Sequence, residues 1–180
     1  MITIRHEKLN DIDAREALLD EAFGEARTRK ASERLRDGRL PADGLSFIAS
    51  EARRVVGTAR LWHVACEGAD ALLLGPVAVA ADRRGAGIGG ALVRRAVSEA
   101  RRRGHGAVIL VGDAPYYGRF GFTAAQTGAL FMPGPFERDR LLARELIKGA
   151  LNGARGVLRP TGVLVPEPAL AALGLPAHAA

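Results

Sequence analysis

At 180 residues, 48% of them hydrophobic and 26% charged, the chain is long enough to bury one sizeable core and too apolar to be disordered throughout. Its single cysteine, Cys66, excludes an internal disulfide and a cysteine-based metal cluster, and points to a reducing, cytoplasmic setting. The formal charge of +6 comes from arginine, since lysine stands only at Lys8, Lys30 and Lys148. No stretch reads as a signal peptide or a membrane span. The most apolar run, Ala71 to Ala81, is broken by Gly75-Pro76 and falls far short of the roughly 20 residues a bilayer requires.

The alternation around Ile2 and Ile4 predicts an opening strand. A helix follows from Asn10, capped by Asn10 or Asp11, with Leu18, Leu19, Ala22 and Phe23 as its apolar stripe and Gly24 at its end. Lys30 to Asp37 reads as a second helix closed at Gly38, and Pro41 to Gly44 as a turn. Leu45 to Ala49 and Val55 to Trp62 read as antiparallel strands joined near Glu51-Ala52-Arg53. Glu67 to Asp70 turns the chain into a buried strand, Ala71 to Val79. A glycine-rich turn then opens a helix to about Arg103, with Ile88, Leu92, Ala96, Val97 and Ala100 as its buried face. Gly104 ends it, and Ala107 to Val111 forms the next buried strand. A short helix over Pro115 to Arg119 and a strand from Phe122 follow, and Leu141 to Ile147 reads as either strand or helix turn. Pro160, Pro166, Pro168 and Pro176 predict an extended tail. The pattern is a mixed α/β sheet with helices on its faces, in one domain over 1–180 with a core of about 2–147 and a C-terminal extension over 148–180.

The chemistry concentrates after Val79. Gly85, Ala86, Gly87, Gly89 and Gly90 let successive backbone N–H groups turn toward one point, and the helix N-terminus adds unpaired donors and a positive dipole end. This is an anion site suited to a pyrophosphate, with Arg83 and Arg84 beside it. From Ala81 to Arg103, seven arginines stand against only Asp82 and Glu99, a local positive field that suits a phosphate-bearing partner or, alternatively, a solvated helix face. Gly85 to Gly90 also satisfies the dinucleotide pattern G-x-G-x-x-G, with Asp113 near the expected ribose-binding position, so a nicotinamide-dependent oxidoreductase is the rival. Against it, five residues separate the strand end from the first glycine. Low aromatic content, 5%, argues against a nucleic-acid surface.

Val77-Ala78-Val79 followed by Arg84-Gly85-Ala86-Gly87-Ile88-Gly89 resembles the acetyl-CoA motif of the GNAT N-acetyltransferase superfamily, Gln/Arg-x-x-Gly-x-Gly/Ala after a strand. Tyr117 to Phe122 matches a second signature, Tyr-x-x-x-Gly-Phe, and the run Gly112 to Phe122 is similar to a YhbS-like subgroup. The resemblance implies a GNAT-like fold: mostly antiparallel strands, a central splayed parallel pair, and helices on both faces. It implies acetyl-CoA as cosubstrate, held by Val77, Ala78 and Val79 along the pantetheine and by Arg84, Gly85, Ala86, Gly87, Gly89 and Gly90 at the phosphates.

The implied reaction is direct transfer of the acetyl group to an amine in a ternary complex, small molecule or protein, with no metal. A backbone N–H, that of Val79, would polarise the thioester carbonyl, and Tyr117 would protonate the departing thiolate. Tyr116, adjacent, competes for that assignment. His63, Glu67 and Asp70 are the candidate bases. A CoA-binding regulatory module without catalysis is the alternative, and a homodimer is compatible with the superfamily.

Overall fold

The computed structural model describes residues 1–166. Eight strands share one sheet in the order β1-β2-β3-β4-β5-β7, with β8 paired to β3 and β6. They are β1 (Ile2–His6), β2 (Ser46–Glu51), β3 (Arg54–Glu67), β4 (Ala69–Val79), β5 (Ala107–Val111), β6 (Leu130–Phe131), β7 (Leu141–Glu145) and β8 (Arg155–Pro160). The helices are α1 (Ile12–Phe23), α2 (Ile88–Arg102) and α3 (Ala114–Gly118). The β1 to β4 pairings are antiparallel, and β5 and β7 are antiparallel, while β4 and β5 run parallel. That parallel pair registers only at Leu72 with Val108 and Leu73 with Ile109, after which the strands part. The predicted mixed sheet with a splayed central pair is the observed one.

α2 forms where the 3.6-residue period demanded it. Ile88, Leu92, Ala96, Val97 and Ala100 are buried, joined by Val93. A Cβ on Gly57 would stand 2.9 Å from Leu92 Cδ1, so the missing side chain on β3 is what lets the helix seat against the sheet. Burying each large aliphatic side chain there contributes roughly 1.5–3 kcal/mol. α1 packs on β3 and β4 and is also fastened by charge. The buried Arg15 donates to Glu7 and, at 2.5 Å, to Glu16, and Arg60 of β3 reaches the same Glu7.

Four expectations need correction. Lys30 to Asp37 is not a regular helix: Glu25–Arg29 and Glu33–Leu35 are short 3-10 turns. Only Ala31, Leu35 and Arg36 are buried there, too narrow a stripe to sustain an α-helix. No strand starts at Phe122, where a lone bridge, Thr123 to Ala143, replaces it. β3 runs on past Trp62 to Glu67, with β4 paired along one edge of its far half and β8 along the other. The core therefore does not stop near 147, since Leu151, Ala154 and Leu158 are buried. Of the predicted tail, Val165 N donates to Gly38 O at 2.9 Å. Pro168 and Pro176 lie outside the described residues.

Candidate active site

Where β4 leaves β5, two recesses open along one strand. Alternation in the ladder decides which backbone groups face them. Ala80 N donates to Val56 O at 3.0 Å, which makes that opposed pair hydrogen-bonded. The next pairs are Gly57 with Val79, Thr58 with Ala78 and Ala59 with Val77. Antiparallel pairs alternate, so Val79 and Val77 turn their N–H and C=O groups away from β3 toward the gap, while Ala78 bonds Thr58. The result is a stretch of strand edge with free backbone groups at every second residue.

The first recess, about 470 Å³, sits at the end of β4. Val79, Arg83, Arg84, Gly85, Gly87, Ile88, Gly89 and Gly90 line it, with Arg94, Tyr116, Arg119 and Phe120 opposite. Gly85 and Gly87 have φ of 83° and 78°, the left-handed region that favours glycine. Ala91 N to Gly87 O, 3.0 Å, is the first bond of α2, which leaves the amides of Ile88, Gly89 and Gly90 without an intrahelical acceptor. A side chain at Gly89 would meet Tyr116 Oη at 3.0 Å and one at Gly90 would meet Phe120 Cζ at 3.2 Å, so the floor must be bare backbone. Ala86 is not among the lining residues, and its N–H donates back to Arg83 O. Arg83 is engaged by Glu51 at 2.7 Å and Asp82 at 3.0 Å, whereas Arg84 has no ion pair among the described residues. Arg119 lies 4.4 Å over the Tyr116 ring, and Arg94 5.6 Å over Phe120.

The second recess, about 500 Å³, lies where the strands part. Leu73 to Val77 form one side and Val111, Gly112 and Asp113 the other. Two distant segments close it: Phe23 to Arg36, and Met132 to Arg140. A bulge in β4 shapes the floor, where the register shifts between Ala59 with Val77 and Leu61 with Leu74. Trp62 Nε1 pins that bulge by donating to Gly75 O at 2.6 Å.

Tyr117 borders this second recess, Tyr116 the first. The two rings are adjacent on α3 and meet edge-on at 4.9 Å, yet they serve different chambers. The Tyr117 ring lies flat against Gly112, where a Cβ would stand 2.2 Å from Cε2. Burial pushes its phenol up to about 12, with Tyr116 and Asp113 adding to the effect, so it is a neutral O–H donor. Asp113 caps α3, accepting from Tyr116 N at 2.9 Å.

Placement revises several assignments. Val79 lines the recess of the glycine turn, so the backbone donor at the cleft is Val77 rather than Val79. Ala78 offers its backbone to β3. The His63 ring lies 5.5 Å from that of His105, tilted at 52°, Glu67 pairs with Arg155, and neither these nor Asp70 borders the cleft. The carboxylates that do are Glu33, Asp113 and Glu137. The sequence pointed to Asp113 only as a ribose-binding acid, and to Glu33 and Glu137 not at all, because residues 33 and 137 come to one cleft only through tertiary packing. The nicotinamide alternative fails on topology: the sheet is mostly antiparallel, and a 3-10 turn, Ala81–Arg83, intervenes between β4 and the first glycine.

Known proteins are similar to this chain in sequence and fold. A family model for the acetyltransferase (GNAT) domain matches residues 42–124. The N-acetyltransferase YhbS of Escherichia coli K12 is 30% identical over 157 residues, 86% of this chain and 93% of the relative. The crystal structure of Escherichia coli YhbS in complex with CoA superposes with a TM-score of 0.75 at 29% identity, covering 89% of each chain. A GNAT family acetyltransferase from Brucella melitensis in complex with acetyl-CoA gives 0.59 at 27% identity, over 94% of this chain and 98% of the other. Identity of 30% sustained over 86% of this chain and 93% of the relative, with a TM-score of 0.75 to the CoA-bound structure, makes this chain a member of the GNAT N-acetyltransferase family.

Proposed function

We propose that the protein transfers an acetyl group from acetyl-CoA directly to a primary amine. One observation carries this reading: a glycine turn suited to an anion and a cleft bordered by a partly buried phenol are joined by a strand edge whose free amides recur at alternate residues. The amides of Gly87, Ile88, Gly89 and Gly90 and the guanidinium of Arg84 are placed to hold a diphosphate. Val79 and Val77 are placed to pair with the amide-bearing arm of the cofactor, as a strand would. CoA-bound YhbS and the acetyl-CoA complex of the Brucella melitensis enzyme support the same ligand for this chain.

Acetyl-CoA supplies an activated thioester when bound. The Val77 N–H, at the mouth of the cleft, polarises its carbonyl. The Tyr117 hydroxyl gives its proton to the departing sulfur, a role suited to a phenol that stays protonated through the physiological range. The cleft walls orient the amine, and Glu33, Asp113 and Glu137 are the groups within it that can take its proton, directly or through water. Holding both reactants at once yields effective molarities of roughly 10⁵–10⁸ M, so positioning supplies most of the rate. On this reading the described chain works as one acetyltransferase domain, since strands from Ile2 to Pro160 share a single sheet.

The test is a thiol-release assay of acetyl-CoA against a panel of amines. CoA appearing only when protein and amine are both present supports the reading. Tight acetyl-CoA binding with no thiol released by any amine would favour the non-catalytic module instead.

A further inference from the structure

The acceptor cleft has a cationic inner wall. Arg36 is only 8% exposed, and most of its guanidinium is clamped. Nε donates to Ser32 O and Nη2 to Ser32 Oγ, both at 3.2 Å, and Glu33 Oε2 lies 2.9 Å from Nη2. Nη1 is the end left over. It has no hydrogen-bond partner among the described residues and stands 3.9 Å from where a Cβ on Gly75 would be, at the bulge where β4 parts from β5. Glu33 pairs with this charge, and Arg27 and Arg60 add positive potential to it although each has carboxylate partners of its own, Glu16 and Asp20 for Arg27 and Glu7 for Arg60. Lys30 shares the wall, its ammonium 4.8 Å from the centre of the Phe23 ring. Neither of the cleft's other carboxylates pairs with Arg36: Asp113 Oδ2 accepts from Tyr116 N at the α3 cap, and the exposed Glu137 lies 3.7 Å from Arg140.

A buried, immobilised guanidinium whose charge one carboxylate balances still leaves Nη1 at the cleft without an acceptor, and an entering anion completes its hydrogen bonding. We infer that Arg36 sets acceptor specificity, and that the acceptor is a small amine carrying its own carboxylate, received by Arg36 Nη1. The inference rests on the acetyl-transfer reading and names the substrate class for it. Gly75 and Val77 are two residues apart on β4, at most about 7 Å for an extended chain and less across the bulge, a span that one small aminocarboxylate bridges. The same positive field favours the neutral amine over its ammonium form, and only the neutral amine attacks.

The experiment compares free amino acids with their C-terminal amides in pairs, by thiol release at saturating acetyl-CoA. A charge-assisted hydrogen bond predicts kcat/KM roughly 10- to 100-fold higher for the carboxylate of each productive pair. Arg36→Gln should erase that preference while leaving the acetyl-CoA dissociation constant within about 2-fold, and Arg36→Lys should restore part of it. The paired comparison in the unaltered protein stands even if Arg36→Gln fails to fold. Equal kcat/KM within pairs, a preference for the amides, or a preference that survives Arg36→Gln overturns the inference. So does the absence of turnover with every carboxylate-bearing amine in a protein that binds acetyl-CoA, and this leaves the transferase reading standing. Failure of acetyl-CoA to bind at all, read by calorimetry, overturns both.

Discussion

Tyr116 and Tyr117 are neighbours in sequence and separate in function. Successive residues on a helix point about 100° apart, which here sends one hydroxyl to Gly89 and the other ring over Gly112 into the cleft. Tyr117→Phe should lower kcat by about 100-fold or more, as expected for a lost general acid, with the acetyl-CoA dissociation constant within about 2-fold. Tyr116→Phe should do the reverse, weakening acetyl-CoA by roughly 2- to 10-fold at nearly constant kcat. Because burial lifts the Tyr117 phenol to about 12, its protonated, active form persists as pH rises through 10. The kcat profile should therefore show no alkaline fall near pH 10. Gly112 belongs to the same unit. Gly112→Ala places a methyl group where the Tyr117 ring lies, so kcat should fall toward the Tyr117→Phe value while acetyl-CoA affinity changes little. Steady-state kinetics beside calorimetry separate these outcomes.

At the scale of elements, what a one-dimensional pattern can carry is plain from α2 and the strands around it. The apolar period of Ile88, Leu92, Ala96, Val97 and Ala100 and the strand-glycine-helix order were legible because they are local. The far half of β3 was less so: Val64 and Ala65 pair with Ala71 and Asp70 of β4 on one side, but their second partners, Pro160 and Arg159 of β8, lie some ninety residues on. The turns at Lys30 to Asp37 read as a helix closed at Gly38, yet few of their residues face the core. The cleft's Glu33, Arg36 and Arg140 had no signature for the same reason, since tertiary packing alone assembles them. The glycine turn gives a sharper test. Gly87→Ala forces an L-residue to φ near 78°, which should cost about 1–2 kcal/mol and weaken acetyl-CoA, read by thermal melting and calorimetry. At the other end of α2, the Arg102 hydrogen bond, helped by Arg103, holds the Glu99 carboxyl at about 2 against the cost of burial. A depressed carboxyl stabilises the fold above its ordinary value near 4.5 and loses that contribution as pH falls toward 2. Glu99→Gln should therefore lower Tm at pH 7, by an amount corresponding to about 1 kcal/mol, and make little difference near pH 2.

Across the whole molecule, the parted strands are the device from which the rest follows. One edge of β4 is covered by β3 along its length, and the other is covered by β5 only at Leu72 and Leu73. The uncovered remainder is a ready-made partner for an extended amide chain, with an anion seat at one end and a phenol at the other. The most direct measurement is a crystal structure of the protein with acetyl-CoA. The account predicts the diphosphate on the amides of Gly87 to Gly90, the pantetheine amides bonded to Val79 and Val77, and the sulfur within hydrogen-bonding reach of Tyr117 Oη. A nucleotide bound away from the glycine turn, or a thioester lying beside Tyr116 with the cleft between β4 and β5 closed, would contradict it.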